Sequence, residues 1–107
     1  MKPFDIFIAY IAWETAGKYR PVLVYTLYGS TISIFRITSQ YEGKSESIRA
    51  KYLKINDLSQ AGLNKQSYID TGSIIDIDFT NSVIKKTIGR LSEEDKQRLL
   101  ELLNSPA

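Results

Sequence analysis

Short runs of β-branched and aromatic residues, separated by turn residues, fill most of the chain and favour a sheet-rich fold. Apolar side chains alternate over 4–10, which is the period-two pattern of a strand. Pro21 can open a second strand over 22–25, because a strand tolerates proline at its first position. The turn signal at 28–30 predicts a hairpin to a third strand over 31–37.

The middle of the chain gives weaker signals. The polar segments 14–19 and 42–47 predict loops. Asn56 and Asp57 can cap a single helical turn that ends at Gly62. Four further strand candidates lie at 48–55, 67–69, 73–79 and 83–88.

One clear helix follows the strands. Ser92 and Asp95 have the spacing of a capping box. Leu99, Leu102 and Leu103 then form an apolar stripe at helical spacing. Several short strands and one terminal helix predict a mainly β (α+β) fold, a small and strongly curved barrel, formed by a single domain over 1–107.

The absence of two residue types limits the chemistry. The sequence contains no histidine and no cysteine, so any enzyme here must use arginine, lysine, carboxylate or hydroxyl groups. Asp5 interrupts the apolar core that a signal peptide would need. The longest apolar run, over 6–13, is far shorter than the ~20 residues of a membrane span. These features predict a cytoplasmic protein without a membrane partner.

Three short motifs carry the most specific information. They are Arg20-Pro21 before the second strand, Thr38-Ser39-Gln40 after the third, and Gly89-Arg90-Leu91-Ser92 with Asp95 at the start of the final helix. Each motif alone is common. Their combination, order and spacing resemble the PemK/MazF family of toxin endoribonucleases, and the resemblance extends over about 4–103.

The resemblance implies a small SH3-like β-barrel with a C-terminal α-helix, the PemK/MazF (CcdB-like) architecture. It implies an mRNA interferase, which is a sequence-selective, metal-independent endoribonuclease toxin of a type II toxin–antitoxin system that needs no cofactor. Such an enzyme cleaves single-stranded RNA by attack of the 2′-hydroxyl group and leaves 2′,3′-cyclic phosphate and 5′-hydroxyl ends. The implied partners are single-stranded RNA, a cognate antitoxin protein and a second copy in a homodimer.

By this resemblance, Arg20 and Thr38 are catalytic. The transition state of 2′-hydroxyl attack carries extra negative charge on the non-bridging phosphate oxygens. The guanidinium group of Arg20 offers a permanent charge and a planar set of donors, and the Thr38 hydroxyl group offers another donor. A preorganised donor of this kind lowers the barrier by about 3–4 kcal/mol. The alternatives are a surface arginine in a loop and an ordinary strand threonine.

Glu14 is the candidate proton acceptor for the 2′-hydroxyl group, because arginine is a poor base. By resemblance, the segment Glu14-Thr15-Ala16-Gly17 matches a Glu-x-Ala-Gly that many relatives carry before the Arg-Pro pair. The alternative is a solvated loop carboxylate.

Five further residues are candidates for RNA binding. Trp13 can stack on a base, an interaction that contributes about 1–3 kcal/mol, or it can cap the core. Lys18 can contact a phosphate group, and Tyr19 can bind bases. Ser39 and Gln40 stand next to the candidate catalytic threonine.

Two other functions are compatible with the same barrel. Non-enzymatic poisons of DNA gyrase rely on a Trp-Gly-Ile ending to the final helix, whereas this helix is followed by Asn104-Ser105-Pro106-Ala107. A degenerate barrel could instead bind a protein or a nucleic acid without cleaving it, because a fold does not fix a function.

Overall fold

The computed structural model describes residues 1–11, 18–78 and 84–105 and contains a six-stranded antiparallel sheet. The strands are β1 (Asp5–Ile11), β2 (Lys18–Tyr28), β3 (Thr31–Thr38), β4 (Tyr52–Lys54), β5 (Tyr68–Asp78) and β6 (Ile84–Arg90). The helices are α1 (Glu46–Arg49), α2 (Leu58–Ala61) and α3 (Glu93–Leu103). Within these described ranges, no helix is both long enough and apolar enough to cross a membrane.

The strand order is β4-β5-β3-β2-β1-β6. The predicted mainly β fold with a C-terminal helix is therefore confirmed. The sheet is not a closed barrel, however, since the described residues show no pairing between its edge strands β4 and β6. β4 has only three residues and leads into α2, which lies against β6. In a closed barrel, β6 would form hydrogen bonds with β4, whereas here α2 packs against β6.

The predicted hairpin between β2 and β3 is confirmed, with Gly29 at a positive φ of 59° in its turn. Lys18 and Tyr19, predicted as loop, belong to β2. Pro21 is consequently inside the strand and not at its first position. It pairs with β1, whereas the ladder with β3 begins one residue later at Val22. Pro21 thus lies beyond the end of one ladder, where a missing N–H group is tolerated.

Two predictions in the middle of the chain are wrong in detail. Residues 46–49 form α1, not a loop and the start of a strand, because the Ser45 Oγ accepts the N–H of Ile48 at 3.4 Å. The strands predicted at 67–69 and 73–79 are one strand, β5. The Thr71 N–H and hydroxyl groups both donate to the Lys51 carbonyl, at 2.9 and 2.6 Å, so hydrogen bonding across the sheet edge continues through the supposed break.

Two apolar clusters lie on opposite faces of the sheet, because neighbouring strand residues point to opposite sides. The first core contains residues of every strand from β1 to β5 together with α2 and α3, namely Ile6, Leu23, Phe35, Ile37, Leu53, Ile55, Ala61, Ile69, Leu91 and Leu99. The second core is smaller and contains Phe7, Ala9, Val22, Val24, Ile32 and Ile34. The functional residues discussed below continue the face of the second core.

The predicted helical turn and the predicted terminal helix are both confirmed. Asp57 caps α2, and Gly62 ends it in the left-handed conformation at φ 76°. The Ser92 Oγ accepts the N–H of Asp95 at 3.1 Å, and Leu99 of α3 is fully buried. These helix ends can be predicted from sequence because capping uses hydrogen bonds between residues that are close in the chain.

Asp95 has a second role that the capping pattern does not show. Its carboxylate group is fully buried, and one oxygen accepts the N–H groups of Asn56 and Asp57 at 3.0 and 2.9 Å. The other oxygen accepts a hydrogen bond from Arg98 at 2.9 Å. Asp95 therefore fastens the loop between β4 and α2 to the first turn of α3.

We expect Asp95→Asn to lower the free energy of unfolding by about 2 kcal/mol, because the amide cannot accept from both the loop N–H groups and Arg98. Urea denaturation measures the loss. Glu94→Gln is the control, since it makes the same charge change at an exposed position of the same helical turn. An equal, small effect of both substitutions would contradict the fastening role.

Candidate active site

The face of the second core ends in a group of polar side chains. Val22, which belongs to this core, pairs with Arg36 across the β2–β3 ladder, so Arg36 lies on the same face. Arg20 and Thr38 are two residues away from this pair along their strands and share its face. The hairpin thus brings two arginines and a threonine to one end of the sheet.

Arg20 and Thr38 line the same cavity. This central cavity has a volume of about 180 Å³ and is lined by Arg20, Arg36, Ile37, Thr38, Gln40, Lys44, Tyr52 and Asp70. Both residues also line a second cavity of about 220 Å³, which includes Ser39 and Lys65. The two residues that the family resemblance implies as catalytic are therefore together in the fold, although 18 positions separate them in the chain.

The hydroxyl group of Thr38 is held by the loop that follows β3. Its Oγ1 accepts the N–H of Gln40 at 3.0 Å. This bond uses a lone pair and leaves the O–H hydrogen able to donate. The Thr38-Ser39-Gln40 motif therefore fixes a hydroxyl donor at the edge of the central cavity.

Arg20 is held by strand pairing close to the site. It pairs with Ala9 of β1, is half-buried, and its Nε atom is buried. The following Pro21 restricts the backbone of Arg20 to extended conformations. A guanidinium group with a restricted backbone and a partly buried stem is suited to bind an anion in one geometry.

A second arginine stands in the central cavity with an acidic partner. The NH2 atom of Arg36 lies 3.0 Å from the Asp70 Oδ2, and the Asp70 side chain is only 11% exposed. The other oxygen of Asp70 accepts the N–H of Gly72 at 2.8 Å. The backbone of β5 therefore holds the carboxylate, and the carboxylate holds Arg36.

Tyr52, the first residue of β4, also lines the central cavity. Burial raises the pKa of its phenol group, the negative charge of Asp70 raises it further, and the positive charge of Arg36 opposes both effects. The phenol is therefore protonated at neutral pH and can donate a hydrogen bond. Tyr52 packs beside Tyr41 and Tyr68, whose rings stack at 4.4 Å between centroids.

A third cavity adjoins the central one. It has a volume of about 410 Å³ and shares Arg36, Lys44, Tyr52 and Asp70 with it. Lys51, Ser47 and Ser73 are among its other lining residues. Most of the charged residues around the three cavities are basic, and Asp70 is the acidic residue among them.

The other predicted RNA-binding residues have different positions. Ser39 lines the second cavity and Gln40 the central one. Tyr19 follows the strand alternation to the face opposite Arg20, is 49% exposed, and packs edge-on against Tyr10 with centroids 5.3 Å apart. Trp13, Glu14 and the side chain of Lys18 lie outside the described residues, and their roles stay predictions.

Sequence reasoning missed Arg36, Asp70, Tyr52 and Lys44, all of which line the central cavity. For Arg36 a signal existed, because it stands two residues before Thr38 in a strand and so shares its face. No comparable signal marks Asp70, since the polar segment 70–72 predicts a break between two strands. The ladder of β3 with β5 places Asp70 directly opposite Arg36.

Solved structures of toxins share this fold. Mycobacterium tuberculosis toxin MazF-mt6 matches with a TM-score of 0.69 and 22% sequence identity, over 92% of this chain and 91% of that one. A crystal structure of an Mtb toxin matches with a TM-score of 0.64 and 21% identity, over 90% and 94% of the two chains. No protein-family model and no curated protein matches the sequence. The predicted PemK/MazF architecture is confirmed at the level of the fold, and the chain has the fold of MazF toxins.

Proposed function

We propose that the protein is a toxin of the PemK/MazF family that acts as a metal-independent endoribonuclease on single-stranded RNA. One observation carries this proposal: Arg20 and Thr38, predicted from sequence as the catalytic pair, line the same two cavities. The match in fold to toxin structures over about nine-tenths of the chain supports it.

The proposed reaction uses the RNA as its own nucleophile. The 2′-oxygen forms a bond to the adjacent phosphorus, the bond from phosphorus to the 5′-oxygen breaks, and the products are a 2′,3′-cyclic phosphate and a 5′-hydroxyl end. Negative charge grows on the non-bridging oxygens during this step. Arg20 and Thr38 donate hydrogen bonds to those oxygens, which stabilises the transition state more than the ground state.

A carboxylate is the proposed acceptor for the 2′-hydroxyl proton. Glu14 fills this role in the proposal, on the strength of the family resemblance. The departing 5′-oxygen takes a proton from water. DNA lacks the 2′-hydroxyl group, so the same site is expected to bind a DNA strand without cleaving it.

The remaining parts of the proposal follow from the family. A cytoplasmic homodimer would cleave selected RNA sequences, and a cognate antitoxin protein would neutralise it. Trp13, Lys18, Ser39 and Gln40 are proposed to contact the RNA beside the catalytic pair. Tyr19, on the opposite face of β2, is proposed to bind a base farther along the strand. Ser39 and Gln40 line the cavities that hold this pair, which supports their assignment.

The decisive experiment is incubation of the purified protein with a defined single-stranded RNA in EDTA, followed by mapping of the cut ends. We expect cleavage within the strand, with 2′,3′-cyclic phosphate and 5′-hydroxyl ends. A DNA strand of the same sequence, and an RNA with a 2′-O-methyl group at the cut site, are expected to stay intact. Activity that disappears in EDTA and returns with a divalent metal ion would refute the metal-independent mechanism.

A further inference from the structure

We propose that the third cavity is a second phosphate subsite, anchored by Arg36, and that it binds a phosphodiester next to the one cleaved at Arg20 and Thr38. This inference rests on the proposed function, because it assigns a place to the neighbouring part of the same RNA strand. It adds a site to the two residues that the sequence resemblance identified.

The third cavity adjoins the central cavity. Arg36, Lys44, Tyr52 and Asp70 line both, so the two spaces adjoin along the ends of β3, β4 and β5. A strand with its cleaved phosphate at Arg20 must extend away from it in both directions. The third cavity adjoins the central one and is the largest of the three, so it has room for the neighbouring part of the strand.

Arg36 is fixed in place but retains donors for a ligand. A guanidinium group has five N–H donors, and the described residues show one of them in use, toward Asp70. The Arg36 side chain is 35% exposed and is one of the residues that line the third cavity. Because Asp70 holds it from one side, little conformational entropy would be lost when it binds a phosphate group.

Asp70 is in turn positioned by the backbone. Its Oδ1 accepts the Gly72 N–H at 2.8 Å, while its Oδ2 faces Arg36. A side chain at Gly72 would place its Cβ 3.0 Å from the Asp70 Oδ1 and 3.4 Å from the Lys51 Cδ. The glycine therefore allows the carboxylate and the lysine stem to approach the same piece of backbone.

The charge of the third cavity suits a phosphodiester. Arg36, Lys44 and Lys51 carry three positive charges in this lining, and Asp70, the acidic residue among them, carries one negative charge, so positive charge remains in excess by two. The hydroxyl groups of Ser47 and Ser73 offer neutral donors, which are common in contacts to phosphate oxygens. A groove with this excess of positive charge attracts the backbone of a single strand.

The test measures how RNA binding depends on salt. The probe is a short 2′-O-methyl RNA oligonucleotide, which cannot be cleaved by the proposed mechanism. The variant is Arg36→Gln with Asp70→Asn, which keeps the net charge and leaves no unpaired carboxylate. The control is Arg90→Gln with Asp5→Asn, which removes a similar ion pair, at 2.8 Å, from residues that line none of the three cavities.

We expect the slope of log affinity against log salt to become shallower by about 0.7 in the Arg36/Asp70 variant, because the protein then neutralises one phosphate group fewer on the single strand. Affinity at low salt is expected to fall about tenfold or more, as for loss of a hydrogen bond to a charged group. The Arg90/Asp5 control is expected to behave as the wild type. An unchanged slope in the Arg36/Asp70 variant, or an equal change in both, would overturn the subsite.

A second measurement locates the phosphate group that Arg36 binds. One neutral methylphosphonate is placed next to the mapped cut site, on either side in turn. At one of these positions the modification and the Arg36/Asp70 substitutions are expected to weaken binding by the same tenfold, and together by no more than either alone. If the two changes are additive at both positions, the subsite for a neighbouring phosphate does not exist.

Failure of the subsite can be distinguished from failure of the proposed function. If the wild type cleaves RNA in EDTA while the Arg36/Asp70 variant keeps the wild-type salt dependence, the nuclease assignment stands and the subsite is wrong. If the wild type binds RNA with the expected loss in the variant but never cleaves, Arg36 still binds a phosphate group of the RNA and the nuclease assignment is wrong.

Discussion

Replacement of Arg20 by alanine is expected to lower the rate of RNA cleavage by about 100- to 1,000-fold while the fold persists, because the transition state then has one charged donor fewer. Arg20 lines both cavities that contain Thr38, whereas Arg36 lines only the central one and is paired with Asp70. Single-turnover cleavage of a labelled RNA measures the rate of the chemical step.

Two further variants make this result specific. Arg20→Lys keeps the charge but loses the planar set of donors, so we expect an intermediate rate. Arg90→Ala removes an exposed arginine that pairs with Asp5, and we expect wild-type cleavage. Circular dichroism and thermal melting show whether each variant is folded. Wild-type cleavage by a folded Arg20→Ala protein would show that the reaction takes place elsewhere.

The second large effect concerns stability. Gly89→Ala is expected to lower the free energy of unfolding by about 4 kcal/mol, at the upper end of what single substitutions cause. A Cβ at this position would stand 2.3 Å from the Ala61 carbonyl carbon, 2.4 Å from its oxygen and 2.6 Å from the Gln60 carbonyl oxygen. All three are backbone atoms of α2, so the helix itself would have to move away from β6. Urea denaturation followed by tryptophan fluorescence or circular dichroism gives the loss.

Gly43→Ala is the matched control for this steric argument. Gly43 has a positive φ of 86°, but a Cβ there would meet nothing within 4 Å. We therefore expect only the conformational penalty of roughly 1–2 kcal/mol. Similar losses for the two substitutions would mean that α2 and β6 are not in close contact.

The sequence was most informative where structure depends on neighbouring residues. The turn at Gly29, the cap at Asp57 and the cap at Ser92 were all predictable, because each satisfies backbone groups within a few positions. The strand β5 was not predictable as one element. Its Thr71 is held by a hydrogen bond to the Lys51 carbonyl, 20 positions away, and no local pattern contains that information.

Some residues of the candidate site could likewise be predicted from the sequence, and others could not. Arg20 and Thr38 could be found because their short motifs, in combination and in order, resemble those of the PemK/MazF family. Arg36 and Asp70 form their ion pair only through the register of β3 against β5, which joins residues 34 positions apart. Their contribution to the cavity therefore required the three-dimensional structure.

The pairing of β1 with β6 affects the order in which the chain can fold. The side chains of Asp5 and Arg90 meet across 85 positions, and contacts between such distant residues form slowly because a long loop must close. During synthesis, β1 leaves the ribosome long before β6 is made, and until then the backbone groups along one edge of β1 have no partner strand. Unpaired strand edges invite association with other chains, so the nascent protein is most vulnerable to aggregation just before its last strand emerges.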